Sequence, residues 1–197
     1  IPSRNNGVKV FPCRSNSRDP TKSRRKGSMK RINFVELSRR PQHVQRFHTV
    51  DIIKQNSLAA PSFGVAMLIL ALRENPSVDL LKAALFHDLP EVYFGDVPAP
   101  VKTANSVLAG VLKALEERWE NGNDVAVTLT NEEKNVLKWA DTLDLLFYCV
   151  EERRRGNRNT EEVFDEGVKM TNKYHTFDAA EEILAHILVK WEEIGGR

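Results

Sequence analysis

The chain has 197 residues, of which 41% are hydrophobic and 28% charged, as in ordinary globular domains. It contains no apolar run near the roughly 20 residues needed to cross a bilayer and no compact apolar stretch typical of a secretory signal. Its two cysteines, Cys13 and Cys149, are too few and too far apart for a disulfide framework or a zinc knuckle. We therefore expect no membrane association and a reducing, cytoplasmic setting.

The net charge of +2 conceals an uneven distribution, because residues 1–31 hold ten basic side chains and only one acidic one. Such an arm can bind nucleic acid by neutralising phosphates, but its single aromatic residue, Phe11, offers little base stacking. We favour a disordered, cloning-derived leader over residues 1–28, since Gly27-Ser28-Met29 resembles a cloning junction before a natural start. We expect residues 29–197 to form the folded domain, with no nucleic acid as its partner.

The first half of the domain predicts short helices separated by proline-containing breaks. Phe34 and Leu37 predict a short helix that is interrupted near Pro41. Pro61 suits the first turn of the next helix, in which the apolar run 65–72 predicts a buried segment. Ser77 is expected to cap a helix that runs from residue 78 to about 87. Three prolines and one glycine between residues 90 and 100 predict an irregular loop or short turns.

The second half predicts longer amphipathic helices. They cover about residues 105–119, 130–154, 160–174 and 177–194. The charged run 151–155 favours a solvated helix end, with its bases suitably placed near the C-terminus of the helix. Residues 125–128 are the only strand candidate in the sequence, and they are few. The predicted fold class is all-α, with about six or seven helices.

A histidine and three carboxylates are concentrated around the end of the helix that Ser77 caps. His87 and Asp88 are adjacent, Glu91 follows four residues after the histidine, and Asp96 follows nine residues after it. A buried carboxylate beside an imidazole is costly unless it is compensated, and a divalent cation compensates it well. The His-Asp pair alone is a weak signal, because hydrogen bonds often satisfy such a pair at a helix end.

A further acidic position lies on the apolar face of the helix predicted over residues 130–154. Asp141 follows Ala140 directly, and Asp144 lies one turn further along. An aspartate that faces a core is either a satisfied structural group or a metal ligand, and the residues themselves leave both interpretations open.

These segments together resemble the HD superfamily of metal-dependent phosphohydrolases. The resemblance rests on residues 84–91 (ALFHDLPE), 95–102 (GDVPAPVK) and 140–141 (AD). More narrowly, residues 45–49 (QRFHT) and 62–66 (SFGVA) resemble motifs of bacterial 5′-deoxynucleotidases and the related phage dATP triphosphohydrolases. The similarity extends over about residues 34–154. It implies a compact HD-domain helical bundle that acts on a deoxynucleotide and commonly forms a homo-oligomer.

The resemblance also implies a role for each matching residue. His87, Asp88 and Asp141 would bind a divalent metal, either Mn, Co, Mg or Zn. Glu91 would activate the attacking water or protonate the leaving oxygen, and Asp96 would hold the water or the sugar.

Three further residues would then contact the substrate. Arg46 would bind the phosphate with its planar donors, and Lys102 is a weaker candidate for the same end. Phe47 occupies the position of an aromatic residue that packs against the sugar and disfavours a 2′-hydroxyl.

The sequence departs from the family pattern at one metal ligand. The pattern reads Ala-Glu-His-Ser, whereas this chain reads Ala59-Ala60-Pro61-Ser62, so the first histidine ligand is replaced by Pro61. Two hypotheses follow. The first is a phosphohydrolase that removes phosphate or triphosphate from a deoxynucleotide such as dATP. The alternative is a degenerate HD-domain protein that binds a nucleotide, or regulates another protein, with weak or no catalysis.

Overall fold

A computed structural model describes residues 33–123 and 125–196. The predicted leader over residues 1–28, including Cys13, lies outside the described residues. The chain divides into two units, Ile1–Leu37 and Ser38–Arg197. Within the first unit, residues 33–37 are helical. All further features belong to the second unit.

The helices account for the regular secondary structure of the described part of the second unit, apart from one isolated antiparallel bridge between Gln45 and Ser57. A 3₁₀-helix spans Arg40–His43, and eight α-helices follow it in the described ranges. These are α1 (Ala59–Leu72), α2 (Val78–Phe86), α3 (Glu91–Phe94), α4 (Ala99–Ala104), α5 (Ser106–Gly122), α6 (Asn131–Arg154), α7 (Glu161–Thr171) and α8 (Asp178–Gly195). The predicted all-α class is confirmed.

Two short helices lie in the proline-rich segment, where the sequence predicts an irregular loop or short turns. Helices α3 and α4 begin directly after Pro90 and Pro98, at positions where a proline costs no intrahelical hydrogen bond. Residues 125–128, which are only a strand candidate in the sequence, form no strand.

Helix α6 is the centre of the bundle. Helices α1, α7 and α8 all pack against it, and α2 packs against α1. The core that results contains Val65, Ile69, Leu80, Val136, Trp139, Leu143, Leu146, Phe164, Ile187 and Trp191. Helix α6 therefore has buried residues along most of its length.

Helix α1 is buried on one side only. Val65, Ile69 and Leu72 are buried, whereas Phe63 and Met67 expose 66% and 50% of their surface. The prediction that residues 65–72 form a buried helix is thus correct for one face and wrong for the other. An apolar run that continues around a helix does not reveal which stripe faces its neighbour.

Helices α2 and α6 begin at a shared capping junction. The Oγ of Ser77 accepts a hydrogen bond from the amide of Leu80 (3.0 Å) and donates one to Oε1 of Glu133 (2.6 Å). The other carboxylate oxygen of Glu133 accepts a hydrogen bond from the backbone amide of Thr130 (2.9 Å). In return, the hydroxyl oxygen of Thr130 accepts one from the backbone amide of Glu133 (3.2 Å). This capping box fixes both helix starts in one hydrogen-bonded group.

Helices α1 and α6 approach closely at Gly64. A β-carbon placed at Gly64 would overlap Oδ1 of Asp144 on α6. The missing side chain of Gly64 therefore provides the space that the Asp144 carboxylate occupies.

We expect Gly64→Ala to lower the free energy of unfolding by about 1–3 kcal/mol, because the added methyl group overpacks this crossing. Urea denaturation measures the change. Gly110→Ala on α5 is a matched control, since nothing lies within 4 Å of its β-carbon position, and it should stabilise slightly. The double variant Gly64→Ala/Asp144→Ala should recover most of the loss. Equal effects of the two glycine substitutions would contradict the overlap.

Candidate active site

His87 lies at the end of α2, where its two ring nitrogens have different environments. Nδ1 donates a hydrogen bond to the carbonyl oxygen of Ala84 (2.8 Å), which leaves Nε2 facing inward. Nε2 is buried without a hydrogen-bond partner among the described residues. It lies 3.3 Å from Oδ2 of Asp88 and 3.6 Å from Oδ1 of Asp141. A backbone bond that orients one nitrogen while the other points at carboxylates is the usual arrangement of a metal-binding histidine.

The charges around His87 alter its pKa and that of Asp88. Burial alone would lower the pKa of His87, but Asp88 and Asp141 outweigh burial and raise this pKa well above its usual value. Burial alone would raise the pKa of Asp88, but His87 and Arg46 hold it below its usual range. Arg46 approaches Asp88 directly, with 3.3 Å between Nη1 and Oδ2. The predicted phosphate-binding side chain therefore reaches the predicted metal ligands.

Glu91 opens α3 and is buried beside Lys102. The Nζ of Lys102 lies 3.2 Å from Oε1 of Glu91, whose side chain is only 7% exposed. Burial, reinforced by the charge of Asp88 and only partly offset by Lys102, raises the pKa of Glu91 to about 7. A carboxyl group with this pKa can accept or donate a proton at neutral pH.

Asp96 and His48 lie next to each other at the edge of this group. The Nδ1 of His48 is 3.8 Å from Oδ2 of Asp96, and the aspartate side chain is the more buried of the two. The two segments that carry the family-like motifs, residues 45–49 and 95–102, therefore meet in space.

Phe47 adopts an unusual backbone conformation. Its φ of 57° lies in the left-handed region, which is unfavourable for a bulky residue. Its ring stacks on Tyr148 of α6, with ring centroids 4.7 Å apart and planes inclined by 15°. Tyr148, which the sequence did not indicate, thus holds one face of the predicted sugar-binding aromatic residue.

Pro61 and Asp144 share one cleft. Its lining includes Arg46, Phe47, Pro61, Asp141, Asp144 and Tyr148. Pro61, which stands where the family pattern has a histidine, therefore lines the same cleft as Asp141, one of the predicted metal ligands. Asp144, which sequence reasoning noted without assigning a function, contributes a further carboxylate. Burial and the charge of Asp141 raise its pKa to about 7.

A second and larger cavity borders His87 from the side of α5. Its volume is about 210 Å³, and its walls include Ala83, Phe86, Val125, Val127 and Leu137, with Glu120 as a charged residue. These mainly apolar walls suit a sugar or base ring better than a phosphate.

The predicted solvated end of α6 is wrong for Glu152. This side chain is fully buried, where it accepts hydrogen bonds from the backbone amides of Ile53 and Lys54. Arg153 is also covered, since its guanidinium lies 4.0 Å from the ring centroid of Trp191. A charged run near a helix end carries no signal for such tertiary partners, which lie far away in sequence.

The donor chemistry of the cluster suits a divalent cation. One imidazole nitrogen and two carboxylates can serve as ligands, and the buried Nε2 of His87 lacks a better partner. Within residues 33–123 and 125–196, however, no three His, Cys, Asp or Glu side chains form a ready-made metal cage. The three side chains are instead paired with one another and with Arg46, so a cation would have to displace these contacts. Pro61 supplies no ligand.

Comparison with known proteins gives the fold. An HD-domain phosphohydrolase from Listeria innocua superposes with a TM-score of 0.67 at 21% identity, over 81% of this chain and 88% of the other. A cyanophage S-2L HD phosphohydrolase, solved with dA and one catalytic Zn²⁺, gives 0.62 at 18% identity, over 80% and 96%. The chain has the HD-domain fold.

Sequence comparison agrees with the narrower resemblance. The model of the YfbR-like 5′-deoxynucleotidase family matches residues 33–125. A 5′-deoxynucleotidase from Vibrio atlanticus is 27% identical over 68% of this chain and 81% of the relative. The YfbR 5′-deoxynucleotidase of Escherichia coli is 29% identical over 66% and 77%. The resemblance to HD-domain phosphohydrolases and 5′-deoxynucleotidases is confirmed.

Asp144→Asn should stabilise the metal-free protein increasingly as the pH rises from about 4 to 7. Asp144 has a native pKa of about 7, above its usual 3.8, so the native state retains a proton that the unfolded state loses, and stability falls across this interval. The asparagine removes that loss. We expect a gain of roughly 1–2 kcal/mol at pH 8, less than the full shift implies because the side chain is partly exposed.

Urea denaturation in EDTA at several pH values measures this gain. Asp79→Asn, at an exposed position of α2, is the control. A constant difference between Asp144→Asn and the unsubstituted protein at every pH would contradict the prediction.

Proposed function

We propose that the protein is a metal-dependent phosphohydrolase that acts on deoxynucleotides. It would release phosphate from a deoxynucleoside monophosphate or triphosphate from a dNTP such as dATP. The convergence of His87 Nε2, Asp88 and Asp141 beside the guanidinium of Arg46 is the observation that supports this most strongly. It joins cation ligands to a phosphate-binding group within one cluster. The relatives named 5′-deoxynucleotidases support the same substrate class.

His87, Asp88 and Asp141 are the residues that would hold the divalent cation, whether Mn, Co, Mg or Zn. Such a cation lowers the pKa of a bound water and neutralises phosphoryl oxygens. The Nδ1 bond of His87 to Ala84 keeps Nε2 available as a ligand. Zn²⁺ in the cyanophage relative supports a metal of this kind.

Glu91 would move the proton in this reaction. With a pKa of about 7, it can take a proton from the attacking water or give one to the leaving oxygen. Lys102 pairs with Glu91, so we propose that it limits the rise in the pKa of that carboxyl group. Its contact with the phosphate stays a prediction.

Arg46 would bind the phosphate of the nucleotide, and Phe47 would bind its deoxyribose. Arg46 offers fork-shaped donors that match phosphate oxygens. Phe47, with one face on Tyr148, would pack its remaining surface against the sugar. Asp96, near His48, would hold the water or the sugar.

A metal-dependent screen of deoxynucleoside mono- and triphosphates tests the function. The protein should release phosphate or triphosphate with Mn, Co, Mg or Zn and lose activity in EDTA. Asp88→Ala and Glu91→Gln should lower kcat by about 10²–10⁴-fold, because a metal ligand and a proton-transfer group are lost. Exposed Asp79→Asn should retain full activity. Equal rates in all variants would refute the proposal.

Lys102→Met should raise the inflection of the pH–rate profile that belongs to Glu91. Lys102 opposes the upward shift of the Glu91 pKa, so its removal lets this pKa rise further, by about one unit. The pH dependence of kcat/KM measures the shift. Lys82→Met, at an exposed position of α2, is the control with an unchanged profile. A downward shift in Lys102→Met would contradict the assignment.

The alternative function is nucleotide binding or regulation without turnover. Pro61 motivates it, since a site with three protein ligands holds a cation less tightly than one with four. Binding of dAMP in calorimetry without product release would favour this alternative. The variant Ala60→Glu/Pro61→His should then create activity, because it reinstates the two residues of the family pattern, one of them at the cleft position of Pro61.

Three further predictions complete the proposal. We expect a cytoplasmic setting, with the buried Cys149 as a free thiol. Among the described residues, no helix combines the length and the apolar character of a transmembrane segment. We expect a homo-oligomer, which light scattering would measure. We also expect residues 29–197 to suffice for activity.

A further inference from the structure

The segment that carries Arg46 and Phe47 is tied to the far end of α6 by one carboxylate. Glu152 is completely buried. Its Oε2 accepts a hydrogen bond from the amide of Ile53 (2.7 Å), and its Oε1 accepts one from the amide of Lys54 (3.0 Å). Two successive backbone amides thus converge on one carboxylate from a residue about a hundred positions away. Bonds to an ionised acceptor are stronger than neutral ones.

The remaining partners of Glu152 complete its pairing. The Nδ2 of Asn157 donates to Oε2 of Glu152 (2.8 Å) and to the carbonyl oxygen of Asp51 (2.9 Å). The Nη1 of Arg155 lies 3.5 Å from Oε1 of Glu152. The buried charge therefore has both hydrogen-bond donors and a cation, and its surroundings hold residues 51–54 at three points.

Tyr148, one turn before Glu152, also contacts this segment. Its hydroxyl donates to the carbonyl oxygen of Lys54 (3.0 Å), and its ring stacks on Phe47. The left-handed backbone of Phe47 costs of order 1–3 kcal/mol, which persists only where surrounding contacts fix it. Tyr148 and Glu152 supply such contacts.

We propose that Glu152 is a positioning residue, which holds residues 46–54 in the shape that places Arg46 beside Asp88 and thereby sets the affinity for the phosphate end of the substrate. Glu152 itself cannot touch the substrate, because none of its surface is exposed. This inference rests on the proposed function, in which Arg46 binds phosphate.

Glu152→Gln is the main test, because it keeps the size of the side chain and removes its charge. Ile53 and Lys54 then lose a charge-assisted acceptor, and the segment loosens. We expect KM for dAMP, or its Kd in calorimetry if turnover is absent, to rise about tenfold, while kcat changes less than threefold. Tyr148→Phe, which loses the hydrogen bond to Lys54 and keeps the ring, should give a smaller rise.

A stability control separates positioning from a general loss of structure. Thr171→Ala removes a buried hydroxyl on α7 that donates to the carbonyl oxygen of Val168 (2.7 Å), far along the chain from residues 46–54. It should lower the unfolding midpoint and leave KM unchanged. If Glu152→Gln changes only the midpoint, as Thr171→Ala does, the positioning role is overturned.

A double-mutant cycle tests whether Glu152 acts through Arg46. In the Arg46→Ala background, Glu152→Gln should change KM or Kd by less than twofold, because the group that it positions is gone. Independent, multiplying effects would overturn the proposal. Failure of the unsubstituted protein to bind or hydrolyse any deoxynucleotide would instead overturn the proposed function. If the unsubstituted protein is active and Glu152→Gln leaves KM unchanged, only the proposed role of Glu152 is overturned.

Discussion

Mutual neutralisation of crowded charges is the constraint on which this site depends. Asp88 and Glu91 lie largely out of solvent with the half-exposed Asp141 nearby, and carboxylates this close together repel one another unless cations accompany them. His87, Arg46 and Lys102 provide that charge. Each of these residues also has a proposed chemical role: His87 as a metal ligand once Nε2 has lost its proton, Arg46 as the phosphate-binding group, and Lys102 as the neighbour that lowers the pKa of Glu91. The pairing that lets these residues fold together is thus the same pairing that a metal and a phosphate would reorganise on binding.

Much of the fold follows from local sequence signals. Ser77 and Thr130 start their helices as hydroxyl caps should, and the periodicity from Val136 to Val150 predicts the buried side of α6. The short helices α3 and α4 escaped prediction, because prolines in a first turn look like breaks until the residues after them are seen to be helical. The exposed face of α1 escaped it too, since only its tertiary neighbours determine which stripe is covered.

The candidate site shows the same limit. The motif around His87 and Asp88 could be identified from sequence, and the structure brings Asp141 and Arg46 to it from segments far away. The roles of these residues stay predictions. Tyr148 and Glu152 could not be found, because their partners are backbone groups of a loop a hundred residues earlier. The sequence identified Asp144 only as an aspartate near the core. The space that Gly64 leaves for its carboxylate depends on how α1 and α6 cross, which the sequence does not reveal.

The capping junction has a geometric consequence for the metal ligands. His87 lies ten residues after Ser77, and Asp141 lies eleven residues after Thr130. At 1.5 Å per residue, both helices advance about 15–17 Å from the junction before they reach the site. The two helices therefore cover nearly equal distances between the site and the capping junction, in which Glu133 joins their first turns. The spacing of the ligands is therefore set by helical pitch, and a one-residue insertion in either helix would turn its ligand by about 100° away from the other.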